Sequence, residues 1–268
     1  MKTQEQITKN WDKNIQKPLL SIWCLSYNHA KFIHKTIDGF LSQETNFPFQ
    51  VIIHDDASSD GTKEIIESYA IKYPTIIKPI LQNENQYQKN TNIMQILYRE
   101  SINSEFIAFC EGDDYWNDKN KLQIQVDFLR KNSDYVASFH RDTTIDENGN
   151  IVREMPSHLC NDLTQEQLSK VKYGMPTRTI VMRNVIDFND ELLEKYFTKD
   201  RVLNGDTFIC SMLGTKGKAK FIDNIDSSFY RLHGGGFGAL WILPLKTSHK
   251  SKAFTTSRNI IARLDTAI

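Results

Sequence analysis

The chain has 268 residues, 40% hydrophobic and 25% charged, and its 33 basic residues balance 33 acidic ones to a formal net charge of zero. That composition suits a soluble globular protein of one large or two small domains, and the missing basic excess argues against a nucleic-acid binder. The polar amino terminus reads as no signal peptide, and no apolar run approaches the length of a membrane span. Four scattered cysteines (Cys24, Cys110, Cys160, Cys210) lack metal-type spacing and point to a reducing cytosol.

Residues 1–17 are polar and read as a loose arm or short surface helix. Residues 19–25 are apolar and form a strand that ends in the turn Ser26-Tyr27-Asn28-His29. Ile33, Ile37, Phe40 and Leu41 recur at helical spacing and predict a helix over about 30–42. A second strand over 49–53 ends in His54-Asp55-Asp56, and Asp60 is a suitable N-cap for a helix carrying Ile65, Ile66, Tyr69 and Tyr73. Residues 76–81 make a short strand that Pro79 places near an edge. Residues 93–102 form a helix. A strand over 105–110 then runs into Glu111-Gly112-Asp113-Asp114-Tyr115-Trp116. Alternating strands and helices predict an α/β fold with a mostly parallel sheet covered on both faces. The carboxyl ends of parallel strands open on one edge, where such sheets bind ligands, so the two acidic clusters can serve one site.

The second half is less regular. Residues 118–131 form a helix with Leu122, Val126 and Leu129 inward, and residues 135–145 and 151–155 predict a hairpin about Asn148-Gly149. Thr164 and Gln167 make a capping-box pattern, residues 177–182 read as a strand, and residues 189–197 as a helix. Asn204-Gly205-Asp206 leads into an apolar helix over 207–213. Strands follow over 219–222 and 228–232, the latter ending at His233-Gly234-Gly235-Gly236. The tail beyond is basic, with Lys246, Lys250, Lys252, Arg258 and Arg263. It reads as a solvated face or as a contact with an anionic membrane surface.

Adjacent aspartates after a buried strand repel each other unless a cation neutralises them. Hard cations take carboxylate oxygens and bridge to phosphate oxygens, which makes residues 111–114 a candidate metal–diphosphate site. The competing reading is a turn whose acids cap the next helix, a task Asp118 serves better. An aspartate at the end of the second strand can accept from a ribose hydroxyl or a base N–H, or can simply start a turn. No G-x-G-x-x-G follows the first strand and no G-x-x-x-x-G-K-[ST] occurs, which excludes both phosphate-loop fingerprints. Asp206 is an N-cap or a general base. His233 is structural, or it is a metal or phosphate contact before a glycine loop. Trp116 is a core aromatic or a platform for a sugar ring. Arg178 and Arg231 are surface residues or contacts for an anionic donor or acceptor.

The strand ending Leu25-Ser26-Tyr27-Asn28, the segment Ile53-His54-Asp55-Asp56-Ala57-Ser58-Ser59-Asp60-Gly61-Thr62, and Glu111-Gly112-Asp113-Asp114-Tyr115-Trp116 together resemble the family-2 glycosyltransferases. Asn204-Gly205-Asp206 and Tyr230-Arg231-Leu232-His233 resemble the later motifs of bacterial members. The likeness covers about residues 18–236. It implies the GT-A fold, a Rossmann-like and mostly parallel central sheet flanked by helices, with a smaller antiparallel acceptor-side part. The nucleotide-binding half would span about 18–116 and the acceptor half about 117–236, followed by a basic extension over 237–268.

The resemblance also implies inverting transfer of a sugar from a nucleotide diphosphate sugar, UDP-linked, to a hydroxyl of a glycan or lipid-linked acceptor. The setting would be bacterial surface polysaccharide synthesis, in the cytoplasm or at the inner membrane face. Ser26, Tyr27, Asn28, Asp55, Asp56, Glu111 and Asp114 would then hold the donor. Asp113 and His233 would hold Mn2+ or Mg2+, and Asp206 would be the base. Two departures stand out: Glu111 replaces an aspartate of the family's motif, and Gly205 stands where many members have glutamate. A nucleotidyltransferase would need a glycine-rich basic loop in place of Ser26-Tyr27-Asn28-His29-Ala30-Lys31, and the intact acids argue against a non-catalytic binding module.

Overall fold

The computed structural model describes residues 1–170, 174–190, 193 and 205–234. The first half runs α1 (Gln4–Thr8), β1 (Leu20–Ser26), α2 (Ile33–Leu41), β2 (Phe49–Asp55), α3 (Thr62–Lys72), β3 (Ile77–Leu81), α4 (Ile93–Ser101) and β4 (Phe106–Phe109). The second runs α5 (Lys121–Lys131), β5 (Tyr135–Phe139), β6 (Asp142–Ile145), β7 (Ile151–Glu154), α6 (Gln165–Ser169), β8 (Val181–Arg183), α7 (Gly205–Gly214), β9 (Lys218–Phe221) and β10 (Ser228–Arg231).

Alternation along the strands divides the core into two layers. Leu20, Ile22 and Cys24 of β1 pack with Ile33, Ile37 and Phe40 of α2 on one face of the sheet. Trp23 of β1 faces the other way, with Ile52, Leu97, Ile107 and Phe109. The main sheet has seven strands in the order β3-β2-β1-β4-β8-β5-β9. Strands β3, β2, β1 and β4 are mutually parallel, while β8 is antiparallel to both β4 and β5. Gly39 lets α2 approach the acidic segment, because a Cβ there would lie 2.9 Å from Trp116 O. Cys24, Cys110 and Cys210 are buried core residues, and all four cysteines are free.

Several expectations need correction. The run over 135–145 is two strands, because the chain leaves the main sheet at His140-Arg141. Strand β6 then joins a separate three-stranded sheet, β10-β6-β7, which is mixed: β6 is antiparallel to β7 but parallel to β10. Residues 177–182 are a 3-10 turn at Thr177–Thr179 followed by the short β8. The N-cap of α3 is Gly61, at φ 98, rather than Asp60. Asp60 instead accepts from Thr62 N and from Ala30 N, tying the loops after β1 and β2 together. Apart from Asn189, Asp190 and Leu193, the helix expected over 189–197 lies outside the described residues, as do Asn204, Gly235, Gly236 and the extension 237–268. Among the described residues, no helix is long and apolar enough to cross a membrane.

Candidate active site

Strand register assembles the site. Ser26 and Asp55 are paired residues at the carboxyl ends of β1 and β2. Beyond β4 the ladder to β1 continues through Cys110 N to Trp23 O (3.1 Å) and Gly112 N to Leu25 O (2.8 Å). The ends of three parallel strands therefore deliver Ser26, Asp55-Asp56 and Glu111–Asp114 to one edge, where an open α/β sheet binds ligands.

The loops on that edge are fixed by their own side chains. Asp55 accepts from Ser58 N (3.0 Å) and Ser58 Oγ (2.5 Å). These bonds hold a turn in which Ala57 has φ 62, a left-handed conformation that costs about 1–2 kcal/mol for a residue with a Cβ. Asp56 accepts from Gln86 N (2.6 Å) and Tyr87 N (3.0 Å), drawing the loop before α4 onto the site. Asn28, itself at φ 56, receives Ser59 N on its Oδ1 and donates its own N–H to Ser58 Oγ. Tyr27 beside it is 46% exposed.

A late segment of the chain completes the site. Tyr115 and Phe229 form an antiparallel bridge and stack their rings at 4.7 Å, which lays β10 along the acidic segment. Arg231 N then donates to Asp114 Oδ1 (2.9 Å) and Arg231 Nε to Asp113 O (3.1 Å). Two residues on, His233 Nε2 meets Asp113 Oδ2 at 2.9 Å. His29 Nε2 lies 3.7 Å from the same oxygen. His29, Asp113 and His233 each offer a ligand atom, and these atoms all lie within 4.8 Å of one another.

That N2O set fits a divalent cation, since imidazole nitrogen and carboxylate oxygen both bind such ions. Burial works against the Asp113 charge, but the hydrogen bond from His233 and the charges of His29 and His233 outweigh it and hold its pKa below the usual value. Burial moves the His29 pKa below the usual histidine value, against the pull of Asp113. Gly112 is required here, because a Cβ would come 2.8 Å from His29 Nδ1 and 3.0 Å from Ser26 Oγ.

Glu111 carries the strain of the site. Its Oε2 is buried with no hydrogen-bond partner among the described residues. Burial pushes its pKa up to about 7; Arg178 pulls the other way, and the charges of Asp113 and Asp206 add to the rise. Asp206 stands in the first turn of α7, exposed, with its Oδ1 accepting from Thr207 N at 2.7 Å.

Three assignments made from sequence change. Trp116 is 3% exposed, donates its indole N–H to Arg178 O (2.7 Å) and packs edge-on to Phe40, so it is a core residue and not a sugar platform. Arg178 is buried and bonded through Nε and Nη2 to Asp142 (2.6 and 2.7 Å), with Nη1 3.3 Å from Asp114. Burial alone would lower its pKa, but Asp114, Asp142 and Glu111 together raise it above the usual value. It neutralises the acids from behind and is not an acceptor contact. Asp114 is 1% exposed and spends its oxygens on Arg231 N and Arg178, which removes it from the donor-facing set. The residue that sequence reasoning missed is His29. Its signal was position, in the turn after a central strand, on the edge that already held both acidic clusters.

A parallel sheet with acids at the ends of β2 and β4, a histidine returned against the second cluster, and no phosphate-loop fingerprint is the arrangement of a GT-A transferase. The model of the family described as glycosyl transferase family 2 matches residues 21–189, and the chain belongs to that family. It is 37% identical over 172 residues to an uncharacterized protein of Mycobacterium tuberculosis, covering 64% of this chain and 49% of that one. It is 32% identical over 124 residues to the putative teichuronic acid biosynthesis glycosyltransferase TuaG of Bacillus subtilis, 46% of this chain and 45% of that one. The chain thus spans about half the length of these relatives. The crystal structure of S. aureus TarS 1–349 in complex with UDP-GlcNAc shares the fold, with a TM-score of 0.61 at 17% identity over 91% of this chain and 65% of that one.

Proposed function

We propose that the chain transfers a sugar, with inversion, from a UDP-linked sugar to a hydroxyl of a glycan or lipid-linked acceptor in bacterial surface polysaccharide synthesis. The observation that carries this reading is the meeting of Asp113 with His233 on the edge where Asp55, Asp56 and Glu111 also end. The similarity to TuaG supports a cell-surface polysaccharide, and the likeness to TarS bound to UDP-GlcNAc supports a uridine diphosphate donor.

Each residue then has a task. Tyr27 offers an exposed ring to the base, and the loops pinned by Ser26, Asn28, Asp55 and Asp56 shape the nucleoside site. Asp113 and His233 would hold Mn2+ or Mg2+, which would supply charge neutralisation for the diphosphate leaving group. Glu111, whose carboxyl titrates near neutrality, faces the donor from the same edge. Asp206 takes the proton of the acceptor hydroxyl as that oxygen attacks the anomeric carbon.

The test is release of UDP from a panel of UDP-sugars with wild type and Asp206→Asn. The substitution is expected to leave UDP affinity within about twofold and to lower transfer by about 10²–10⁴-fold, the usual contribution of a general base. Turnover equal to wild type removes Asp206 as the base. No UDP release from any UDP-sugar by folded wild type removes the UDP-sugar reading.

A further inference from the structure

Neither ring nitrogen of His29 makes a hydrogen bond among the described residues. Its Nδ1 is buried without a hydrogen-bond partner among the described residues. Its Nε2, 3.7 Å from Asp113 Oδ2, is outside hydrogen-bond reach. An apolar ring would fill the same space without leaving a buried polar atom unsatisfied, which costs about 1–3 kcal/mol. Yet the fold holds this residue firmly. His29 N donates to Thr62 Oγ1 (2.8 Å), and His29 O accepts from Phe32 N (2.8 Å) and Ile33 N (2.9 Å) at the entry to α2. Its ring stands edge-on to that of His233, centroids 6.0 Å apart. Gly112 keeps the ground beside it clear.

We infer that His29 is a third protein ligand, so that His29, Asp113 and His233 form a two-imidazole, one-carboxylate site that selects a first-row transition cation over Mg2+. The inference rests on the reading of Asp113 and His233 as the metal ligands and goes beyond it by assigning the third ligand and the class of ion. The three ligand atoms lie within 4.8 Å of one another, so shifts of a few tenths of an ångström gather them on one ion at bond lengths of about 2.0–2.2 Å. Mg2+ favours oxygen and keeps much of its water, whereas imidazole suits the later first-row ions, for which affinity rises from Mn2+ through Co2+. A site of carboxylates alone would have no such preference against Mg2+. Two imidazoles on one carboxylate create one.

The experiment reads metal binding directly, on the whole chain, with and without UDP. Titrations of Mn2+, Co2+ and Mg2+ by calorimetry are expected to rank Co2+ tighter than Mn2+ and Mn2+ at least about tenfold tighter than Mg2+. His29→Ala is expected to weaken Mn2+ and Co2+ by about tenfold or more while leaving Mg2+ within twofold. Because that variant can misfold, wild type carries a second measurement. Electron-spin-echo modulation of bound Mn2+ is expected to show nitrogen coupling from two imidazoles. One coupled imidazole, or equal affinities for Mn2+ and Mg2+, overturns the inference. UDP release from UDP-sugars is scored separately. Turnover with a single coupled imidazole sinks the third ligand and leaves the transferase standing. Two coupled imidazoles without turnover uphold the ligand set and sink the transferase reading instead.

Discussion

At the end of β2, each oxygen of Asp55 and Asp56 accepts from a backbone amide or a hydroxyl of the surrounding loops. At the end of β4, one strand beyond β1, Glu111 keeps a buried oxygen without a partner among the described residues, and Asp113 faces two histidines. The two clusters look alike in sequence and share one sheet edge. The first is closed: its charge is spent on shaping the loops after β2 and before α4. The second is open: Arg178 pairs with Asp114, but Glu111 Oε2 keeps no hydrogen-bond partner among the described residues. A closed cluster makes a scaffold. An open one makes a site whose electrostatics favour an added cation.

The largest effect comes from removing that pairing. Arg178→Met leaves Asp114 and Asp142 buried without their guanidinium, a change that costs about 3–5 kcal/mol when one partner of a buried ion pair is lost. Urea unfolding of the metal-free protein is expected to show this loss. The double variant Arg178→Met with Asp142→Leu is expected to recover part of it. Additive losses in the double variant would mean that Arg178 serves packing rather than charge.

The middle effect contrasts the clusters head to head. Asp55→Asn breaks bonds made to a charged acceptor and is expected to cost about 1.5–3 kcal/mol. Glu111→Gln, measured in EDTA at pH 8, is expected to shift stability the other way. A carboxyl held at about 7 in the fold, above its ordinary 4.5, costs nothing below pH 4.5, weakens the native state as the pH rises from 4.5 to about 7, and carries its full cost at pH 8. Equal losses for the two variants would erase the distinction between closed and open.

The first half of the fold was legible because each element there carries its own punctuation. The helical spacing of Ile33, Ile37 and Phe40 and the acids closing β2 and β4 are local signals, and the structure returns those elements within a residue or two at most boundaries. The second half depends on contacts that no window reveals. Residues 135–145 read from sequence as one continuous strand, and only the pairing of β6 with β10 shows that the chain changes sheets at His140-Arg141. Arg178 reads as a surface residue until Asp142 and Asp114 are folded onto it. Trp116 sits beside the acids in sequence, but Phe40 and the carbonyl of Arg178 draw its ring into the core. His29 lay hidden in a polar turn, because its meaning comes from the return of β10.

The smallest effect asks whether every cation behind the open cluster belongs to it. Lys121, buried over the Trp116 ring with its Nζ 4.4 Å from the centroid, bonds to Gln125 Oε1 at 2.6 Å. Burial brings its pKa down to about 7 from 10.5, and the charges that oppose the fall are Cys110 and Asp118 rather than the site acids. Between those two values the unfolded chain holds a proton that the folded chain releases, so stability rises with pH across that window and is lowest below it. Lys121→Met is therefore expected to flatten this rise. At pH 7 it removes a buried charge but leaves Gln125 Oε1 without its donor, for a net gain of about 1 kcal/mol. By pH 10 the wild type should have recovered the difference. Urea midpoints at pH 7, 8, 9 and 10 decide the matter: converging curves make Lys121 a packing residue outside the charge balance of the site, while parallel curves, with the variant weaker throughout, would place it beside Arg178 as a second counter-charge to the acids.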